Sequence, residues 1–169
     1  ANAINAWYPA KEDPAVKRAR KTYLQSCYFS VYQLNSLLYR MPFGLPSGMC
    51  ITSQINSLYL ETCTLYAFQK VLRAKRSPSV LSLFGEIPPP STMKKQMFAL
   101  YYGDDSFVLT PPAFDVKSAD LFEEFTRLGL EATHCVKDAP LDVEIPFADQ
   151  TFLKRSLFIN PEGTLVWAL

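Results

Sequence analysis

The sequence has few of the residues that usually bind transition metals. It contains one histidine, His134, and four cysteines, none of them in a Cys-x-x-Cys pair. A structural zinc site is therefore not expected. Cysteines scattered in this way are typical of a reduced, intracellular protein rather than of a disulfide framework. The four are Cys27, Cys50, Cys63 and Cys135.

Long apolar runs and a strong net charge are also missing. No stretch approaches the roughly 18 consecutive apolar residues that suggest a membrane span, so no transmembrane segment is expected. No signal peptide opens the chain, and its first residue is alanine, which predicts a piece of a longer chain or a processed product. The net charge of +1 does not by itself indicate nucleic-acid binding, which would depend on local basic patches.

The residues that are present suffice for one domain. The chain has 169 residues, of which 49% are hydrophobic, so it can bury a core. Its periodicity predicts the order helix, helix, hairpin, helix, hairpin. This order indicates an α+β fold in which helices cover an antiparallel sheet.

A long first helix is predicted from Asp13 to about Tyr39. Asp13 is a capping acid, Pro14 suits the first helical position, and apolar residues then recur every three or four positions. The first turns carry a basic cluster that could contact RNA phosphates, although a solvated helix surface is the simpler interpretation. The cluster comprises Lys17, Arg18, Arg20 and Lys21.

A second helix is predicted from about Met49 to Arg73, with Ser47 as its cap after a loop that contains glycine. Such a helix start can bind a phosphate. One face is predicted to be buried, and another aligns small and polar residues that could contact a substrate if they line a cleft. The predicted buried face is Ile51, Ile55, Leu58, Thr62 and Leu65. The polar face is Gly48, Thr52 and Asn56.

The flanking segments are predicted from their turn and cap residues. Residues 71–96 are rich in proline and are interpreted as a connector outside the core. Ser118 is predicted to cap a short helix that ends at Gly129, and His134 beyond it is interpreted as structural or solvated. Two last strands are predicted around a type I turn at 160–163. They are Thr151–Ile159 and Thr164–Ala168.

Apolar residues flank Tyr101-Tyr102-Gly103-Asp104-Asp105 on both sides, which predicts a β-hairpin with a tight Gly-Asp turn. Neighbouring side chains can converge at a turn, so Asp104 and Asp105 can both address one site. Two carboxylates without a basic neighbour suit Mg²⁺, which shares its other positions with water and phosphates. Glycine and aspartate are also the commonest turn residues, so this motif alone would more often be a solvated loop.

Four separated motifs resemble the palm subdomain of picornavirus-like viral RNA-dependent RNA polymerases, in that family's order. Residues 44–57 resemble motif B, with Gly-x-Pro-Ser-Gly, a threonine and then Asn-Ser; residues 101–106 resemble motif C, Tyr-Gly-Asp-Asp. Residues 118–138 look like motif D, where a helix leads to Gly-Leu and then a lysine, and residues 151–160 hold the Phe-Leu-Lys-Arg of motif E. The resemblance implies a palm with an RRM-like core, without fingers, thumb or motif A.

The resemblance also implies a role for each motif in nucleotidyl transfer with two ions of Mg²⁺ or Mn²⁺. Asp104 and Asp105 would be the catalytic metal ligands, and Lys137 the general acid for the leaving pyrophosphate. Motif B would bind ribose, nucleotide and template, and motif E the primer backbone. The motif B residues are Ser47, Gly48, Thr52 and Asn56. Those of motif E are Lys154 and Arg155.

The family's motif A, which supplies the remaining carboxylate ligand, is expected upstream of residue 1. Asp13 with Glu12 has a helix-start context that does not suit a strand-borne ligand. The chain alone is therefore expected not to polymerise RNA and, with an unpaired edge on the motif C hairpin, to be marginally stable. The implied partners are RNA template and primer, ribonucleoside triphosphates and the rest of the polymerase polyprotein, in a replication complex in the host cytoplasm.

Two other functions remain open. A reverse transcriptase also carries Tyr-x-Asp-Asp, although Gly103 and Asn56 favour an RNA product; the choice between ribonucleotides and deoxyribonucleotides would separate the two enzymes. A non-catalytic RRM-like module would stack bases on sheet aromatics, here Tyr101, Tyr102 and Phe107. The acidic turn repels phosphate unless a metal is bound, so metal-dependent RNA binding that is lost in D104A would favour a polymerase.

Overall fold

In the computed structural model of the chain, the described residues are 11–41, 45, 49–76, 78–136, 139–140, 143, 145–146 and 149–168. The chain divides into two compact units, one up to Thr52 and one from Ser53 onward. The described residues form helices and short antiparallel sheets, which confirms the predicted α+β class. None of the helices in these ranges is long and apolar enough to cross a bilayer.

The first unit begins with helix α1, Pro14–Tyr28. Its start is as predicted, since Asp13 Oδ1 accepts a hydrogen bond from the Ala15 N–H at 2.8 Å. Within the basic cluster, the Arg20 guanidinium forms a two-pronged ion pair with Glu12, at 2.6 and 2.5 Å. This pairing lowers the pKa of the Glu12 carboxyl. Arg20 is therefore held against the start of α1 and largely shielded from solvent, whereas Lys17, Arg18 and Lys21 are exposed.

The predicted continuation of this helix to Tyr39 is wrong. After α1, the chain forms an antiparallel hairpin with a two-residue turn at Asn35 and Ser36. Its strands are β1, Val31–Leu34, and β2, Leu37–Arg40. Asn35 has a φ of 55°, a left-handed conformation that asparagine tolerates, and the rings of Tyr32 and Tyr39 stack across the strands with centroids 5.6 Å apart. The turn at Asn35 and the cross-strand pairing thus favour a hairpin, although the apolar residues recur at helical spacing.

The second unit is organised along helix α2, Thr52–Lys75. The predicted buried face of this helix is wrong, because Ile55, Leu58 and Leu65 are only half-buried and Thr62 is exposed. The buried residues lie instead in its C-terminal half. They are Cys63, Thr64, Ala67, Phe68, Val71 and Leu72. Asn56 lies seven residues, about two turns, before buried Cys63, so the predicted polar face continues the buried one.

The proline-rich stretch is part of the core, so its interpretation as a connector is wrong. It contains helices α3, Pro78–Phe84, and α4, Pro90–Gln96, each of which begins at a proline. Proline suits the first helical position because the N–H that it lacks would have no partner there. The main hydrophobic cluster joins these helices to α2 and to a short 3₁₀ turn. Its buried members are Phe68, Leu72, Val80, Met93 and Phe114.

The predicted central hairpin is formed by β3, Phe98–Tyr102, and β4, Asp105–Leu109. The strands are antiparallel, and Tyr102 pairs with Asp105 next to the turn. Phe107 is buried between the rings of Phe98 and Phe152, whose centroids lie 6.4 and 6.5 Å from its own. One face of the hairpin is thereby attached to the sheet that follows.

Helix α5 spans Ser118–Arg127. Ser118 is its first residue rather than its cap; the cap is Lys117, whose N–H donates to the Asp120 carboxylate at 2.8 Å. The end of the helix is as predicted. Gly129 has a φ of 76°, and the Leu130 N–H donates to the Phe125 carbonyl at 2.9 Å. This pattern is a Schellman motif, in which glycine takes the left-handed position.

The last sheet has three strands rather than two. They are β5, Thr151–Phe152, β6, Arg155–Ile159, and β7, Leu165–Ala168. The predicted strand Thr151–Ile159 is wrong, because a tight turn at Leu153 and Lys154 divides it, with φ values of 51° and 62°. Two positive φ values are typical of a type I′ hairpin turn. The next turn is as predicted, with the Gly163 N–H bonded to the Asn160 carbonyl at 2.9 Å.

We predict that M93A destabilises the chain by about 2–5 kcal/mol, because it removes a fully buried side chain from the main cluster. The matched control is K95A in the same helix, where the side chain is exposed. Urea denaturation followed by circular dichroism measures both free energies of unfolding. Equal effects of the two substitutions would contradict the assignment of α4 to the core.

Candidate functional site

The turn between β3 and β4 consists of Gly103 and Asp104. Gly103 has a φ of 64°, and a Cβ added there would meet nothing within 4 Å. Glycine at the first of two turn positions is typical of a type II′ turn, which matches the twist of a hairpin. Asp104 lies in the turn and Asp105 begins β4, and both are exposed. The hairpin therefore carries two adjacent carboxylates at its end, as predicted.

Helix α2 is hydrogen-bonded to this turn. The Gly103 N–H donates to the hydroxyl of Ser57 at 2.9 Å, and that hydroxyl donates in turn to the Ser53 carbonyl at 2.7 Å. Gly103 is buried, so its N–H needs a partner within the protein. Ser57 thus satisfies a buried backbone donor and connects the helix to the acidic turn.

A cleft of about 500 Å³ lies between the turn, α2, α5 and the loop after α5. Asn56, Asp104 and Asp105 all line it, so the structure brings together the two polar features that the sequence predicted separately. Its apolar wall is formed by side chains of α2 and α5. They are Tyr59, Leu60, Phe122 and Phe125.

The described lining of the cleft is acidic. It includes the carboxylates of Asp104, Asp105 and Glu131, and none of its described residues is lysine or arginine. A phosphate would be repelled by such a surface, whereas a hard divalent cation would be attracted to its oxygen atoms. Among the described residues, no three histidine, cysteine, aspartate or glutamate side chains form a group that could hold a metal ion. The two turn carboxylates can thus serve a divalent cation only as partial ligands.

Tyr101 lies behind the turn, beside a smaller pocket that also contains Glu61. Burial raises the pKa of the Tyr101 phenol to about 12; the Thr64 hydroxyl opposes this increase, and the Glu61 carboxylate adds to it. The phenol is therefore neutral near pH 7. It adds no negative charge to the hairpin that carries the two carboxylates.

His134 in the loop after α5 has hydrogen-bond partners on both ring nitrogens. Nδ1 accepts from the Val136 N–H at 3.1 Å, and Nε2 lies 3.0 Å from the Val143 carbonyl. Nδ1 also lies 3.3 Å from the Val136 carbonyl. His134 therefore connects two parts of this loop, in agreement with the structural role expected for it.

Of the other predicted site residues, only some are among the residues that the structure describes. Ser47, Gly48 and Lys137 lie outside the described residues. Thr52 is the first residue of α2, one turn before Asn56. The motif E residues Lys154 and Arg155 are exposed on the β5–β6 hairpin and do not belong to the described lining of the cleft.

The apolar wall of the cleft and the role of Ser57 were not predicted from the sequence. Tyr59 and Phe122 were assigned no function, since aromatic residues at helical spacing are usually part of a core. Ser57 was noted only as the second residue of the Asn-Ser pair. Its partner Gly103 is 46 positions away, so local sequence gave no signal for the contact.

Comparison with known proteins gives a consistent result. The sequence profile of the family "Viral RNA-dependent RNA polymerase" matches residues 8–163. The chain is similar to the RNA1 polyprotein of Andean potato mottle virus, with 30% identity over 161 residues, covering 92% of the chain and 20% of that polyprotein. These matches confirm the resemblance predicted from the four motifs.

Two further relatives are also viral polyproteins. The RNA1 polyprotein of Grapevine chrome mosaic virus is 28% identical over 176 residues, covering 99% of the chain and 7% of the relative. The genome polyprotein of Feline calicivirus (strain Japanese F4) is 29% identical over 156 residues, covering 92% and 8%. The chain thus spans only a small part of the length of these curated relatives.

We predict that G103A destabilises the second unit by about 1–2 kcal/mol, because alanine is strained at this positive φ although there is space for its methyl group. G85A is the control, since Gly85 has a φ of 73° and equally open surroundings away from the described cleft lining. Chemical denaturation measures both losses. A much larger loss for G103A would indicate a steric clash and contradict the geometry of the turn.

Proposed function

The chain belongs to the viral RNA-dependent RNA polymerase family, and we propose that it supplies part of the active site of such an enzyme. The enzyme would copy an RNA template by transferring nucleotides from ribonucleoside triphosphates to a primer. One observation carries this proposal: Asp104 and Asp105 line the same cleft as Asn56. The carboxylates would bind metal, and the amide would bind the nucleotide.

In the proposed mechanism, Asp104 is the main metal ligand and Asp105 supports it. When bound, two divalent ions would activate the primer hydroxyl and stabilise the charge on the triphosphate. By resemblance to the family, the remaining carboxylate ligand would come from motif A in another part of the polymerase; no third carboxylate of the described residues joins the pair in a metal-binding group. On its own, the 169-residue chain would therefore not extend a primer.

Asn56 would contact the ribose of the incoming nucleotide. Its amide both donates and accepts hydrogen bonds, as the 2′-hydroxyl does, and it lies half-buried in the wall of the cleft. Ser47, Gly48 and Thr52 would complete the binding of nucleotide and template. Lys137 would protonate the leaving pyrophosphate.

The β5–β6 hairpin would contact the primer. Lys154 and Arg155 are exposed there, and cationic side chains can position a phosphate backbone without reading its sequence. Leu153 and Lys154 both have positive φ, which is unfavourable for residues other than glycine. Strain of this kind is often found at functional sites. The remainder of the polyprotein and the host cytoplasm are the proposed setting.

The RRM-like alternative has less support. It would stack bases on Tyr101, Tyr102 and Phe107, but Phe107 is buried and Tyr101 is half-buried. Tyr102 alone is exposed. The three side chains therefore do not form an open stacking platform.

We predict that D104N lowers kcat at least about 100-fold in the full-length polymerase that carries this chain, because it removes a charge needed to bind the catalytic metal. D115N is the matched control. Asp115 is exposed and has a φ of 47°, which asparagine tolerates. The measurement is incorporation of labelled ribonucleotides on a primed RNA template. Near-normal incorporation by D104N would refute the proposed function.

A second prediction concerns the primer. K154N removes a charge but keeps a residue that tolerates positive φ, so we expect weaker RNA binding and a salt dependence reduced by about one phosphate contact. The control L153N changes the neighbouring turn position without changing the charge. Fluorescence anisotropy of a labelled primer–template duplex, measured over a range of salt concentrations, compares the two. An equal effect of both substitutions would mean that the Lys154 charge does not contact RNA.

A further inference from the structure

We propose that Ser57 is a positioning residue whose hydroxyl holds the acidic turn where its two carboxylates can bind metal. This inference rests on the proposed polymerase function. It adds to the proposed site a residue that touches neither nucleotide nor metal. This residue acts through the backbone of Gly103.

The direction of the hydrogen bonds at Ser57 is fixed by its partners. The Gly103 N–H is a donor, so Ser57 Oγ accepts at 2.9 Å; the Ser53 carbonyl is an acceptor, so the same hydroxyl donates its proton there, at 2.7 Å. The hydroxyl is thereby held to the backbone of α2 on one side and to the turn on the other. Such a bridge restrains the turn relative to the helix.

The β3–β4 pairing shapes the turn, and the bond to Ser57 ties it to α2. Among the described residues, neither Asp104 nor Asp105 has a side-chain hydrogen bond or an ion pair, and adjacent negative charges repel each other. Their placement depends on the backbone that carries them. Gly103 immediately precedes Asp104, so its bound N–H fixes the first turn position.

The neighbouring position explains why this contact matters for function. Asn56 is adjacent to Ser57 on α2 and lines the cleft that the turn closes. The position of this helix therefore sets both where the amide proposed to contact ribose lies and how far that amide is from the metal-binding turn. Alanine at position 57 would leave the buried Gly103 N–H without its acceptor.

The chain offers a matched control on the same helix. The Thr62 hydroxyl donates to the Leu58 carbonyl at 2.7 Å, which is the same bond to the preceding turn that Ser57 makes with Ser53. Thr62 is exposed. T62A thus removes the bond within the helix without removing a bond to the hairpin.

The test uses the full-length polymerase with the substitutions S57A, S57T and T62A. We expect S57A to weaken Mn²⁺ binding, measured by electron paramagnetic resonance without nucleotide, by about 3- to 10-fold, as the loss of one hydrogen bond implies. Its kcat at limiting metal should fall by a similar factor, while KM for the nucleotide stays within about twofold. S57T, which keeps the hydroxyl, should restore both values, and T62A should resemble the wild type.

Amide hydrogen exchange at Gly103 tests the contact itself, even if S57A folds poorly. The Gly103 amide should be protected in the wild type and in S57T. An unprotected Gly103 in the wild type, unchanged Mn²⁺ affinity in folded S57A, or an equal loss in T62A would each overturn the proposal. A wild-type polymerase that protects Gly103 but neither binds Mn²⁺ nor incorporates ribonucleotides would instead contradict the proposed function.

Discussion

The second unit depends on one face of helix α2 that changes from apolar to polar along its length. Over its C-terminal half this face packs Phe68 and Leu72 into the main hydrophobic cluster. Ser57, about three turns before Phe68, lies on the same face and bonds to the acidic turn, and the adjacent Asn56 lines the cleft. A buried backbone N–H at Gly103 requires an acceptor, and the polar end of the helix supplies one. Core and site are therefore parts of one packing arrangement.

Charge in the cleft imposes a second constraint. Its described lining carries carboxylates and no lysine or arginine, so an anionic substrate meets a repulsive surface until a cation is present. The neutral phenol of Tyr101 leaves that balance unchanged. Substrate binding in this cleft would consequently depend on prior or simultaneous binding of a divalent ion. The basic side chains of the β5–β6 hairpin do not belong to the described cleft lining. There they would attract a phosphate backbone without competing with a metal ion for the carboxylates.

Features set by local chemistry could be predicted from the sequence. Asp13 caps α1, Gly129 ends α5 and Gly103 permits the hairpin turn, because each follows from the backbone preferences of one residue. The acidic pair and Asn56 were found through motifs. How Asn56 and the pair meet could not be derived from spacing, because it depends on tertiary packing.

The errors have equally local causes. Apolar residues after Tyr28 recur at helical spacing, so periodicity alone did not reveal the β1–β2 hairpin. Proline was interpreted as a breaker, although Pro90 begins α4. Leucine and lysine at positive φ contradict the usual turn preferences, so the turn inside the predicted strand 151–159 gave no signal.

The buried residues are confined to one half of α2, which separates local opening at the cleft end of the helix from opening of the hydrophobic cluster. The buried residues lie away from the cleft end of the helix, so local opening at that end would cost less free energy than opening of the hydrophobic cluster. Adjustments during a reaction cycle would then take place in a region that contributes little to global stability. The hydrophobic cluster can stay folded while the end of the same helix at the cleft moves.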